Sequence, residues 1–242
     1  MYLSYLGECF RFYVLDGRVI KEEMEALKTN LEEADTLICT HGSHIDNDKA
    51  TNIAVRASDT DVAIILLNHC ERFRAHIWMD TGTSAKNNRR FIDITSISKA
   101  LGTPLCQALP AFYGYTGSDY TSAFYKKGKK RPFKILEENR SVQMAFGEMA
   151  RGKLGTDAFE TIMSFTARMY GAKANQTLSL NKHRFKVFEK TYAPKARAKN
   201  PLEKLKGIDA SMVPPCEAEV TQQIKRATFV AKMWADSHEK VI

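Results

Sequence analysis

Three short acidic clusters follow one another along the chain: Glu32-Glu33-Ala34-Asp35, then Ser58-Asp59-Thr60-Asp61-Val62, then Gly117-Ser118-Asp119-Tyr120. Gathering carboxylates at one place is costly. Like charges raise one another's pKa and resist joint ionisation unless a cation neutralises them. Three clusters, each beside an apolar run, therefore point to a divalent-metal site. Carboxylate oxygens suit Mg²⁺ or Mn²⁺, and Mg²⁺ sites commonly act on phosphate groups.

A second group of residues carries the opposite charge. The segment from Lys126 to Arg131, between Tyr125 and Pro132, holds five cations around one glycine. Backbone amides near Gly128, with Lys127, Lys129, Lys130 and Arg131, form a set able to hold phosphates away from a scissile one. A solvated loop has the same composition. Arg89-Arg90 read as a strand start, with phosphate contact as the functional alternative. Each acidic cluster has a local reading too. Glu32 to Asp35 fits charges at a helix N-terminus, Asp59-Thr60-Asp61 fits an N-cap with a first-turn acid, and Gly117 to Tyr120 fits a turn. Phe112, Tyr113 and Tyr115 read as core in preference to base-stacking platforms.

Charge is unevenly spread. Residues 1–125 hold 12 Lys/Arg against 16 Asp/Glu, residues 126–206 hold 20 against 7, and residues 207–242 hold 4 against 5. A basic segment after an acidic one suggests a polyanion held by the first and a metal held by the second. A solvated basic helical surface is the other reading. Five scattered cysteines without a CxxC, and six histidines without zinc spacing, indicate reduced thiols of an intracellular protein, the nucleus included. His41-Gly-Ser-His44 reads as a helix end. No apolar run approaches the ~20 residues of a membrane span, and the opening MYLSYLGECFRFYVLDG is broken by Glu8 and Arg11. The partner expected is nucleic acid, DNA in preference to RNA, and no membrane.

The elements that must position these groups read as α/β, with a mainly parallel sheet flanked by helices. Residues 8–20 predict a β-hairpin turning at Asp16-Gly17. A helix is expected from about Glu32 to His41, then strand 52–57, then a helix from Asp61 onward. This sets Asp59 and Asp61 on a strand-to-helix turn, the carboxyl edge where open α/β sheets bind ligands. Strands follow at 75–80 and at Phe91–Ile94, then helices leading to Asp119. Beyond residue 132 the pattern is almost wholly helical, with a Pro/Lys-rich connector over 194–216 and a last amphipathic helix to Trp234. Four regions result: a hairpin and connector over 1–30, a core over 31–136, a basic helical extension over 137–206, and a connector with helix over 207–242.

The ordered set Glu-Ala-Asp, Asp-Thr-Asp, Gly-Ser-Asp-Tyr resembles the internal region of the flap endonuclease/XPG branch of the PIN-like nucleases. The likeness covers roughly residues 31–136. It implies a PIN-like core hydrolysing nucleic-acid phosphodiesters with two Mg²⁺ or Mn²⁺ ions. Carried over by motif, it assigns Glu33, Asp35, Asp59, Asp61 and Asp119 to catalysis, and Asp35, Asp59, Asp61 and Asp119 to metal. Spacing alone pairs Glu32 with Asp35, whereas the family pattern pairs Glu33 with Asp35. In the family, a Gly-centred turn that grips a DNA backbone follows, and it resembles the segment containing Lys127, Gly128, Lys129, Lys130 and Arg131. Most of the chain is also similar to a group of animal proteins with EEADT, DTDV and TGCD-like motifs, which brings no activity with it.

One departure concerns the first strand. The family carries a further Asp there, well before the Glu cluster. Asp16 is separated from Glu32 by only fifteen residues, little more than a parallel crossover requires, so Asp16 is expected in a hairpin turn and the first PIN strand is expected to be lacking. A non-catalytic nucleic-acid-binding scaffold of the same descent, or a protein-interaction module using the basic half, are the alternatives.

Overall fold

The computed structural model describes residues 2–5, 8–28, 34–47, 50–173, 179–192 and 210–237. The chain divides into two compact units, residues 1–106 with 233–242, and residues 107–232.

The first unit contains two three-stranded sheets. One is antiparallel throughout: β1 (Tyr2–Tyr5), β2 (Glu8–Leu15) and β3 (Arg18–Glu23). Leu15 pairs with Arg18 across the two-residue turn Asp16-Gly17, whose φ angles are 49° and 71°. Two consecutive positive φ angles define the mirror-image turn whose twist matches flanking strands. Asp16 is thus a turn residue, as its sequence setting predicts.

The other sheet has the order β4 (Asn52–Arg56), β5 (His76–Thr81), β6 (Arg90–Asp93). β4 and β5 are parallel, with Ile53 opposite Ile77 and Arg56 opposite Asp80. β6 runs antiparallel to β5, which corrects the expectation of a mainly parallel sheet. Only residues 82–89 join β5 to β6. A parallel crossover needs a dozen residues or more, so this link returns the chain directly.

Helices α1 (Ala34–Asn47), α2 (Thr60–His69) and α3 (Ile94–Leu101) accompany this sheet. α1 packs on α2, α2 on α3, and α3 on β5. Val62, Ile64, Ile65, Leu66 and Leu67 are all buried, so α2 is apolar nearly all round and lies inside the unit. Each such side chain contributes roughly 1.5–3 kcal/mol by burial. α1 passes through His41 and His44 where a helix end was expected. Gly42 lies within the helix, where a Cβ would come 3.0 Å from the Phe73 ring, so glycine lets α1 lie close to that ring. At the far end of α1, buried Asp46 accepts hydrogen bonds from the Arg74 and Ala75 amides at 3.1 and 2.7 Å and fixes the approach to β5.

The second unit is helical. Most of α4 (Thr103–Thr116) belongs to it, with α5 (Lys130–Glu137), α6 (Arg140–Ala150), α7 (Thr156–Met169), α8 (Leu180–Tyr192) and nearly all of α9 (Glu217–Ala235). Its core is aromatic: Phe112, Tyr115, Phe146 and Phe165 meet with ring centroids 5.1–6.3 Å apart. The Tyr115 hydroxyl bonds to Thr166 Oγ1 at 2.5 Å, which satisfies the one polar atom that this ring buries. Phe112 and Tyr115 are therefore core, as their sequence setting suggests. Among the described residues no helix is long and apolar enough to cross a membrane.

Candidate functional site

β4 ends at Arg56, and Asp59 caps the helix that follows. Asp59 has extended backbone (φ −82°, ψ 138°), and its Oδ1 accepts the Asp61 amide at 3.0 Å. The extended backbone and short acceptor are what an N-cap requires. Asp61 lies in the first turn of α2 and is 7% exposed, while Asp59 is exposed. The pair thus sits on a strand-to-helix turn at the carboxyl edge of a parallel strand pair. Asp59 Oδ2 makes no hydrogen bond among the described residues. Asp35 lies in the first turn of α1 and is half-buried. Glu33 falls outside the described residues. Among the described residues no three His, Cys, Asp or Glu side chains gather so as to hold a metal ion.

A carboxylate without any sequence motif ends the neighbouring strand on that same edge. Asp80, opposite Arg56 in the sheet, is buried. Arg89 binds it with two prongs, Nε to Oδ1 at 3.0 Å and Nη2 to Oδ2 at 2.8 Å. Arg56 Nη1 adds a third bond to Oδ1 at 2.7 Å, and its Nη2 donates to the Gly82 carbonyl. The Arg89 hydrogen bond, reinforced by Arg56, holds the Asp80 carboxyl below its ordinary range. The signal was present in sequence as an Asp closing the strand run HIWMD, with arginines before and after, but no spacing rule ties such residues together.

Beside this edge lies a cavity of about 400 Å³ lined by Ser58, Lys86, Asn88, Arg90 and the Thr81-Gly82-Thr83 segment. The loop that frames it is stitched to itself: the Thr83 amide donates to Asn88 Oδ1 at 2.8 Å, and the Asn88 amide to the Thr83 carbonyl at 3.2 Å. Gly82 has φ +76°, and a Cβ there would fall 2.3 Å from the Asn88 carbonyl oxygen. Only glycine permits this close return. Of the sequence pair, Arg89 is bound to Asp80, while Arg90 opens β6 and faces the cavity.

Asp119 belongs to the second unit and is exposed. It sits in a tight turn in which Ser118 and Thr121 exchange backbone hydrogen bonds at 3.1 and 3.2 Å. Gly117 enters that turn with φ +114°, where a Cβ would lie 2.6 Å from the Ala123 Cβ.

The basic loop of the second unit differs in detail from its expected form. The turn runs from Phe124 to Lys127, closed by the Lys127 amide on the Phe124 carbonyl at 2.9 Å, with Lys126 at φ +54°. It is centred on Tyr125-Lys126, not on Gly128. Lys129 points inward. Its Nζ donates to the Tyr113 carbonyl at 3.2 Å, Thr116 Oγ1 at 2.9 Å and the Gly117 carbonyl at 2.5 Å, which closes the C-terminal end of α4. A cation there complements the helix dipole. Lys127 is half-buried, with its Nζ 4.3 Å from the Tyr170 ring centre; desolvation, with Arg131 nearby, lowers its pKa. Gly128, Lys130 and Arg131 are exposed, and open space surrounds Gly128. Lys130 and Arg131 begin α5, where cations oppose the helix dipole and a bound anion relieves both.

No family model, curated protein or solved structure matches the chain.

Proposed function

We propose that the chain is a nuclease-like domain that uses Mg²⁺ or Mn²⁺ to hydrolyse nucleic-acid phosphodiesters, DNA in preference to RNA. The observation that carries this reading is the placement of Asp59 and Asp61 at the carboxyl edge of the parallel β4–β5 pair, with Asp59 Oδ2 open. Hard carboxylate oxygens on a strand-to-helix turn are the donors such ions prefer. In this reading Asp59 and Asp61 are the carboxylates that this edge offers to the metal; the family resemblance adds Asp35, Asp119 and Glu33, of which Asp35 and Asp119 form no three-residue cluster with the pair among the described residues. Such an ion, when bound, would lower the pKa of a coordinated water and stabilise charge on a leaving oxygen. The chain's own part is to orient the carboxylates and to grip the polyanion. Gly128, Lys130 and Arg131 serve that grip in the second unit.

A second reading, a non-catalytic nucleic-acid-binding scaffold, is favoured by one observation. Asp80, the other strand-end carboxylate of this edge, already satisfies Arg56 and Arg89. Direct metal binding separates the two. Titration of the protein into Mn²⁺, followed by the loss of the free-ion paramagnetic resonance signal, should show saturable binding weakened in Asp59→Asn. Saturable binding that Asp59→Asn leaves unchanged, or no binding, would favour the scaffold.

A further inference from the structure

We propose that the cavity framed by the β5–β6 loop is a phosphate-binding subsite, in which Lys86 and Arg90 take a phosphate group carried by a nucleic-acid strand or a nucleotide. Its lining combines two cations, three hydroxyls and one amide, with no carboxylate among them. The neighbouring cations are already satisfied, since Asp80 binds both Arg56 and Arg89. Lys86 and Arg90 pair with no carboxylate among the described residues. Asn88 spends its Oδ1 on the Thr83 amide, which leaves its Nδ2 as a donor. Thr83 Oγ1 accepts the Lys86 amide at 3.3 Å, which leaves its proton to donate. Every polar side chain that remains in the cavity can therefore donate, and a phosphate accepts at three or four oxygens. Such charge-assisted bonds are about twice as strong as neutral ones.

The site is built before any ligand arrives. Gly82 permits the close return of the loop, Asn88 ties it, and Arg56 holds the Gly82 carbonyl. The volume of about 400 Å³ exceeds a lone phosphate and leaves room for an attached sugar. Ser58, in the lining, directly precedes Asp59, so a phosphate here sits beside the proposed metal ligands. The phosphate's carrier rests on the nucleic-acid reading; anion binding itself does not.

The test uses two forms of one single-stranded oligodeoxynucleotide, 5′-phosphorylated and 5′-hydroxyl, each 3′-labelled, with binding read by fluorescence polarisation in EDTA. AMP is the competitor. Lys86→Gln with Arg90→Gln should weaken binding by about tenfold or more. Lys99→Gln, an exposed lysine on α3, should leave it unchanged. A loss confined to the 5′-phosphorylated strand identifies a terminal phosphate. An equal loss on both strands identifies an internal phosphodiester, and AMP displacement that only the wild type shows identifies a free nucleotide. Wild-type affinity in the double variant, or an equal loss in Lys99→Gln, would overturn the subsite. Lys86→Gln alone, in an exposed loop, covers the case in which the double variant misfolds: weaker binding at an unchanged melting temperature supports the subsite, and unchanged binding overturns it. Metal-dependent cleavage surviving in variants that bind normally would remove only this subsite. Cleavage unaffected by Asp59→Asn, beside a binding loss at Lys86 and Arg90, would remove only the nuclease reading.

Discussion

Arg89 holds Asp80 through a two-pronged contact, Nε to Oδ1 at 3.0 Å and Nη2 to Oδ2 at 2.8 Å, at the end of the central strand of the β4–β5–β6 sheet. The contact ties the strand to the loop that returns from it. It also lowers the Asp80 pKa from its ordinary 3.8, so the folded state favours the ionised carboxylate more than the unfolded state does. The stability this adds is present above pH 3.8 and is lost as pH falls through the lower folded value. Asp80→Asn should destabilise the protein at neutral pH, and the gap from wild type should close under acid. Urea midpoints of both proteins between about pH 2 and pH 6 check this. A gap that stays constant over that range would remove the ion pair from the account.

Asp59 has two separable roles, helix cap and proposed metal ligand. Asn caps as well as Asp, whereas Ala does not. Asp59→Ala should therefore cost about 1 kcal/mol in equilibrium unfolding, and Asp59→Asn close to nothing. That separation makes Asp59→Asn the suitable variant for functional work. Equal destabilisation by both would show that the carboxylate charge, and not the cap, stabilises α2.

Lys129 and its neighbours Lys130 and Arg131 should behave differently. Removing the Lys129 ammonium exposes the end of α4, at a cost of roughly 1.5–3 kcal/mol. It should leave the salt dependence of DNA binding unchanged. Lys130→Ala and Arg131→Ala should be near neutral for stability, and each should flatten the slope of log K against log salt by about 0.9 on duplex DNA. Melting curves with salt-titrated binding isotherms read both quantities. A reduced salt slope in Lys129→Ala would place that lysine on the nucleic acid instead.

Gly117→Ala tests the turn that carries Asp119. The positive φ and the 2.6 Å approach to Ala123 both oppose a side chain. A destabilisation of about 1–3 kcal/mol is expected in chemical denaturation. A neutral result would mean that the turn relaxes to accept it.

Much of the fold could be read from local patterns. The Asp16-Gly17 hairpin, the strand over 52–56, the capped start of α2 and the aromatic helices beyond residue 132 each depend on residues close in sequence. The reversed direction of β6 followed from the length of the 82–89 link, which the strand pattern of residues 91–94 does not express. The site was legible only in its acidic half. Asp59 and Asp61 announce themselves by spacing, whereas the grouping of Asp80 with Arg56 and Arg89 arises from strand register and a returning loop. Lys129 misleads for a related reason. Composition places it with the exposed cations, but its reach to three acceptors at the end of α4 depends on how that helix meets the loop.

The nuclease reading stands or falls on metal-dependent cleavage. Purified wild type and Asp59→Asn are incubated with single- and double-stranded DNA in Mg²⁺ or Mn²⁺, and in EDTA. Cleavage by the wild type that EDTA stops, that falls by orders of magnitude in Asp59→Asn, and that leaves DNA affinity unchanged is the predicted result. Equal metal-dependent cleavage by both proteins, or DNA binding with no cleavage in either metal, would contradict it.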